Sequence, residues 1–539
     1  MDQIESLIFL LGAAALLAQL ARVLKVPYPI FLVLGGLALG FAPGLPTVEI
    51  PPEVIFVVFL PPLLNSAGFF SSPLDLRAHL RAISLLALGL VLVTIFAVAA
   101  VAHFAVGLSW PVAFVLGAIL SPTDPVAADA IFRRLGVPER VGTVVGGESL
   151  INDGTGLVAF RLAVGVAVGA TAFSFADAGL DFLLVAGGGI LVGLVLAFTI
   201  LPLWSRLKDA SIQITFSVLI PYGVYILAEE ILHVSGILAV VTYGLAQGWR
   251  SPRLFSDAST RIQALAFWGV LIFVLEAMLF LLLGQQLPSI VGNLGEYTVP
   301  EVLIYAVLIY AVVLGTRVAF FFTVPYLHPV FDRLFRNRYL RGTWREYLVM
   351  SWSGMRGAVS LAAALTVPLT TVGGEPLAGR DLVLFITFAV ILATLVLQGL
   401  TLPPLIRALG IRDDGNAGRI SELRARLKGA RSALDRLEEI CAENDLPPSN
   451  EQGMRDYYED RIARYEAGIE AGGMTDEYAQ SSATWRKWRR DLIEAERDAV
   501  IRMRDGGRSA PKPCAASNAT STWKSPASAG REEPGKDGW

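Results

Sequence analysis

Cysteine is almost missing from this chain. Its two residues, Cys441 and Cys514, both lie in the polar C-terminal part. A disulfide framework or a cysteine-built zinc cluster is therefore excluded. Charge is also scarce, at 17% of residues against 54% hydrophobic. Runs with no Asp, Glu, Lys or Arg, such as Ala82 to Leu120 and Phe182 to Leu203, exceed the roughly 20 residues a helix needs to cross a bilayer. The first residues carry acid where a signal peptide has a basic region, and no small-residue cleavage site stands out. The first hydrophobic segment thus reads as a retained span. No Gly-x-x-x-x-Gly-Lys-Ser/Thr pattern occurs, which removes the usual signature of an ATP-driven machine.

The scarce charge is unevenly spread. Half of all Lys and Arg residues lie beyond residue 411, and apolar runs become few there. This predicts a membrane domain over 1–411, a cytosolic helical domain over 412–505 and a disordered tail over 506–539. The fold class expected is all-α and polytopic. Apolar segments suggest about thirteen helices, near 5–24, 28–42, 52–70, 81–105, 110–132, 142–170, 179–203, 211–230, 235–249, 263–286, 298–325, 346–371 and 381–407. Basic residues follow every second segment: Arg22 and Lys25, Arg77 and Arg81, Arg133, Arg134 and Arg140, Arg206 and Lys208, Arg250, Arg253 and Arg261, then Arg333, Arg336, Arg338, Arg341 and Arg345. The intervening loops hold essentially one, Arg380. By the positive-inside rule the N-terminus lies outside, the C-terminus lies in the cytosol, and the number of spans is odd.

Two segments are built to break. Pro122 and Pro125 flank Thr123-Asp124 in the fifth; Ser353-Gly354-Met355-Arg356-Gly357 interrupts the twelfth. Proline removes a backbone donor, and freed backbone groups at membrane depth are tolerable only against protein or a wet cavity. One interrupted helix in each half points to two inverted repeats, helices 1–6 and 8–13, with a site at their meeting point.

The acids cluster at the same place. Between Leu120 and Gly156 stand five acidic residues and three arginines, and carboxylates at membrane depth are costly unless paired, hydrated or bound to a cation. In the sixth segment Glu148 and Asn152 are four apart, as are Ser149 and Asp153, so they share adjoining strips of one helical face. Two carboxylates, an amide and a hydroxyl supply oxygen ligands suited to a hard cation such as Na+. Asp124 approaches from the break in the fifth segment. Arg356 is a natural partner for one acid, and Glu148 is the expected one, as a structural ion pair. Burial favours the neutral form of a carboxyl group, so a proton and Na+ compete for the same oxygens. At a site exposed alternately to each side, that competition is exchange.

Three strings carry a resemblance: Ser-Pro-Thr-Asp-Pro-Val-Ala (121–127), Glu-Ser-Leu-Ile-Asn-Asp-Gly (148–154) and Gly-Met-Arg-Gly-Ala-Val-Ser (354–360). They resemble, in order, the motifs of the sodium/proton exchanger family, which includes bacterial NhaP-type antiporters and animal NHE exchangers. The match covers nearly all of 1–411. It implies a homodimer in membrane lipid, with a dimerisation domain and a six-helix core moving like an elevator. It implies Asp153 as the ion-binding, proton-exchanging carboxylate and Asn152 as its neighbour. Ser149, Thr123 and Asp124 would line the site, the cation's own ligands being Asp153, Ser149 and Thr123, and Glu148 would pair with Arg356. An Asn-Asp pair at this point goes with electroneutral exchange of one cation for one proton. No cofactor beyond the transported cation and H+, and no nucleic acid, is implied. One departure stands out. After Leu-Pro-Pro-Leu-Leu (60–64) many relatives place an acid where this chain reads Asn65-Ser66. Ser66 is then a neutral site-lining residue, which leaves Na+, Li+ and K+ open.

Other polar residues are less telling. Asp129, near Arg133, reads as a helix-end charge, and Glu139 as a solvated one. Arg161, Arg317 and Glu276 have no assignable partner. Gly36-x-x-x-Gly40 permits close helix packing. In the C-terminal part, Ile420, Leu423, Leu427, Leu434, Leu437 and Ile440 mark an amphipathic helix, with similar faces near 454–469 and 485–503. Trp485-Arg-Lys-Trp-Arg-Arg490 reads first as a solvated bundle surface, with anionic lipid at the membrane face the alternative; a regulator is the other expected partner of the tail. Two other readings of membrane acids, an intramembrane aspartyl protease and a cation channel, rank below exchange; the Gly-x-Gly-Asp signature of the former is absent.

Overall fold

The computed structural model describes residues 3–24, 26–42, 55–170, 175–255, 257–292, 294, 297–298, 299–323, 343–411, 416–443, 448–471 and 476–505. Arg333, Arg336, Arg338, Arg341, the segment from Gly506 and Cys514 lie outside them, as do several side chains of the 485–490 segment. Among the described residues the chain is all-helical apart from one isolated bridge, Thr370 to Pro376. It divides into two units, Met1–Arg412 and Asp413–Trp539.

The first unit runs α1 (Gln3–Leu24), α2 (Tyr28–Phe41), α3 (Leu60–Phe70), α4 (Pro73–Phe104), α5 (Trp110–Leu120), α6 (Val126–Leu135), α7 (Glu139–Ala167) and α8 (Phe175–Trp204). It continues with α9 (Ala210–Ile231), α10 (Gly236–Leu254), α11 (Ala258–Gln285), α12 (Val299–Thr323), α13 (Trp344–Trp352), α14 (Ala358–Leu365) and α15 (Arg380–Leu409). Among the described residues seven helices are long and apolar enough to cross a membrane, and four apolar helices are shorter. Burial sorts them. In its most apolar stretch α15 is 72% buried and α8 only 17%, so α15 is central, while α8 turns Leu183, Leu184 and Phe198 outward.

Local signals set the ends. Thr343 opens α13 with a capping box: its hydroxyl accepts from Glu346 N at 3.3 Å, and the Glu346 carboxylate accepts from Thr343 N at 3.3 Å. Asp257 caps α11 by accepting from Thr260 N at 2.7 Å, and that bond holds its carboxyl below the ordinary range. Packing then depends on small residues. A Cβ on Gly36 of α2 would strike the Leu281 carbonyl and come within 3.1 Å of Gly284 Cα on α11. Gly40 lies against Gln285 one turn on. The Gly36-x-x-x-Gly40 pattern is therefore a seam of backbone contact between α2 and α11.

The second unit holds α16 (Asn416–Glu443), α17 (Pro448–Glu470) and α18 (Asp476–Asp505). α16 and α17 pack antiparallel, burying Leu423, Ala430 and Leu437. Arg431–Glu466 at 2.5 Å and Arg455–Glu438 at 3.2 Å bridge them. These pairs are largely exposed and contribute little beyond register.

Candidate functional site

The two interruptions fall where the prolines and glycines required: α5 ends at Leu120 before α6 starts at Val126, and α13 ends at Trp352 before α14 starts at Ala358. They touch. Asp124 N–H donates to the Met355 carbonyl at 2.7 Å. The Asp124 carboxylate accepts from Val126 N at 2.9 Å, at the start of α6, and lies so close over Gly357 that any Cβ there would overlap it. Arg356 answers from the other side. Its Nε donates to the Leu120 carbonyl at 2.9 Å, and its Nη1 bonds the Gly354 carbonyl. A negative charge thus sits at helix N-termini and a positive charge at a helix C-terminus, each opposing the local dipole. The crossing is stabilised by charge on backbone.

Helix α7 presses its polar face against this crossing. Asn152 Nδ2 donates to Thr123 Oγ1 at 2.8 Å, Thr123 and Ser149 hydroxyls are 3.0 Å apart, and Ser149 donates to the Val145 carbonyl at 3.0 Å. Since Ser149 spends its proton on Val145 and Thr123 accepts from Asn152, Thr123 must donate to Ser149. The chain of donors runs one way and fastens the broken helix to α7. Among the described residues Asn152 Oδ1 is buried without a hydrogen-bond partner. All of Thr123, Ser149 and Asn152 are at most 2% exposed, while Asp153 retains 8%.

Asp153 differs from its neighbours in kind. Among the described residues its carboxylate has no hydrogen bond or ion pair, and it is close enough to Asp124 for the two charges to interact. An unpaired carboxylate at membrane depth is among the costliest groups a protein can keep. Among the described residues no group of three or more His, Cys, Asp or Glu side chains could hold a metal ion. The donors near Asp153 are carboxylate, hydroxyl and amide oxygens, a set suited to a hard monovalent cation as substrate.

The expected Glu148–Arg356 pair is corrected by the structure. Glu148 is held by Arg317 of α12, in a two-pronged pair at 2.5 and 2.8 Å, and Arg317 also donates to the Met350 carbonyl at 3.2 and 3.3 Å. Both partners are 2% exposed. Arg356 is near enough to feel the charges of Glu148 and Arg317, but the side-chain bonds it makes go to the carbonyls of Leu120 and Gly354 at the broken helix ends. A planar fork that matches carboxylate geometry serves Glu148 better from across the bundle. The signal in the sequence was a mid-span arginine without a partner.

Other residues fall outside this cluster. Ser66 is buried and donates to Leu63 O of its own helix at 2.7 Å; among the described residues no hydrogen bond ties it to Asp153. Its neighbour Asn65 donates to Gln247 of α10 at 3.2 Å. Glu276 of α11 accepts from the Tyr28 hydroxyl of α2 and feels the charges of Asp124 and Asp129. Arg161, two turns beyond Asp153 on α7, pairs with Glu229 of α9, which also accepts from Gly236 N at 2.9 Å. Asp129 pairs with Arg133 on the surface at 2.8 Å.

The sodium/hydrogen exchanger transmembrane family matches residues 9–408. The chain belongs to the sodium/hydrogen exchanger family. This exchanger-family chain is 34% identical over 458 residues to the Na(+)/H(+) antiporter ApNhaP of Aphanothece halophytica, covering 83% of this chain and 82% of that one. It is 35% identical over 390 residues to a protein of Bacillus pumilus named sodium, potassium, lithium and rubidium/H(+) antiporter, covering 70% and 57%. In fold it is similar to the sodium proton antiporter of Methanocaldococcus jannaschii, at a TM-score of 0.60 and 22% identity, over 76% of this chain and 98% of the other.

Proposed function

We propose that this exchanger-family chain is a secondary antiporter that exchanges Na+ for H+ across a membrane, with both ions competing at Asp153. The observation that carries the reading is the partnerless Asp153 carboxylate beside the crossing of two broken helices. Charge bookkeeping supports one ion at a time. Glu148 and Arg317 cancel, and the Asp153 carboxylate is the single charge proposed to be neutralised by the transported ion. One Na+ or one proton neutralises it, so loaded carriers are uncharged either way and exchange is electroneutral. Asp153 supplies the exchanging oxygens; Asn152 Oδ1 and the hydroxyls of Ser149 and Thr123 are the further ligands proposed. The named activities of the Aphanothece and Bacillus relatives agree with this.

The same reading includes thirteen spans in two inverted repeats, a homodimer in the cell membrane with an elevator-like core, the N-terminus outside and the C-terminus cytosolic. The proposed division is a transport domain over 1–411, a helical cytosolic domain over 412–505 and a tail over 506–539. A K+/H+ antiporter with the same site is the second reading. It is favoured by the ion list in the Bacillus relative's name. Everted vesicles holding the protein should dissipate an imposed pH gradient when NaCl is added. Asp153→Asn should abolish this at unchanged expression; retained exchange would place the site elsewhere. Running the assay in NaCl, LiCl and KCl separates the two ions.

A further inference from the structure

Where α1, α2, α6 and α15 end or begin at one face of the bundle, they enclose a cavity of about 630 Å³. Its wall includes Arg22, Arg134 and Arg407, each in the last turn of its helix, and its lining has no Asp or Glu. Arginines near helix C-termini are unremarkable alone, because they complement the dipole. Three from separate helices around one cavity, with no acid among them, are not. The side chains of Arg22 and Arg407 make no hydrogen bond or ion pair among the described residues. The rest of the lining is mostly apolar, including Leu400, Pro403 and the ring of Tyr28. Just outside it Val23, Leu24 and Leu397 are exposed. The site therefore offers guanidinium donors to an anion and an apolar flank to whatever is attached to it.

We infer that this cavity binds the phosphate headgroup of an anionic phospholipid, with the acyl chains lying along Val23, Leu24 and Leu397. The apolar flank favours lipid over a free phosphate, which has nothing to place there. Basic pockets between membrane helices on the cytosolic side are built for such headgroups, and the positive-inside pattern puts this face there. The cavity is separate from the exchange site, though Tyr28 connects it to Glu276. A headgroup seated here touches α2 and α6 together.

Full-length protein in neutral detergent is titrated with phosphatidylglycerol, phosphatidylcholine or inorganic phosphate, and bound lipid is counted by native mass spectrometry. Phosphatidylglycerol should bind, and phosphatidylcholine should not displace it. The double variant Arg22→Gln/Arg407→Gln should weaken binding about twenty-five-fold, at about fivefold per arginine. Arg133→Gln, on the same helix as Arg134 but outside the cavity, should leave it unchanged. Equal binding of both lipids, or wild-type binding by the double variant, overturns the assignment. So does displacement by inorganic phosphate at comparable concentration, since the ligand is then the free anion. Asp153→Asn should still bind the lipid, so failure here and failure of the exchange reading are told apart.

Discussion

Glu148 and Asp153 are carboxylates five positions apart on one helix, and their surroundings divide their roles. Glu148 is sealed against Arg317 by two short bonds; Asp153 keeps some exposure and no partner. Removing one member of a buried pair leaves the other uncompensated, at a cost of about 3–5 kcal/mol. Glu148→Gln should therefore lower the thermal stability of the purified protein sharply, and Arg317→Lys, which loses the fork, should do so in part. Asp153→Asn should be at least as stable as the wild type, because it deletes an unpaired charge. A marked loss of melting temperature in Asp153→Asn would contradict the exchange role given to this residue. Opposite behaviour from two acids on one helix is the sharpest check available at this scale. The acids were legible in the sequence because charge inside an apolar run is conspicuous. Their partners were not, because Arg317 lies 169 residues from Glu148.

At the scale of the element, the crossing of α5–α6 with α13–α14 is held by an Asp124 N–H to Met355 O bond and by Arg356 on the Leu120 carbonyl. Gly357 is required by the closeness of the Asp124 carboxylate. Gly357→Ala should push that carboxylate away and cut the exchange rate about a hundredfold, the order expected when a site is misplaced by an ångström. Vesicle flux measurements on the purified variant test this. Gly36→Ala should act differently. It adds a methyl to the α2–α11 seam, costs about 1–3 kcal/mol by overpacking, and should lower melting temperature in detergent. The breaks themselves were readable from Pro122, Pro125 and the glycines around Arg356. The Gly36-x-x-x-Gly40 pattern was readable only as a possibility, since its use depends on a partner with a matching small residue, and Gly284 supplies it.

For the whole molecule, the proposed single unbalanced charge makes a prediction about current. Proteoliposomes should show cation-stimulated proton flux that is unchanged when the membrane is clamped with a K+ diffusion potential. A flux that rises or falls steeply with voltage would mean that net charge moves in each cycle. The Arg161–Glu229 pair links the helix carrying Asp153 to α9.

Composition and local pattern by themselves determined that this chain is a helical membrane protein, where its helices break, and which side chains lie at the breaks. These follow from short-range physics: apolar runs must span, proline and glycine interrupt, and residues four apart share a face. The tertiary structure alone decided that Arg317 neutralises Glu148, that Arg356 serves the carbonyls of a broken helix, that Ser66 bonds its own helix, and that Asp153 is left without a partner. Each of these is a pairing between distant segments, set by which helices pack together and by the need of every buried charge for a counter-charge or a dipole end.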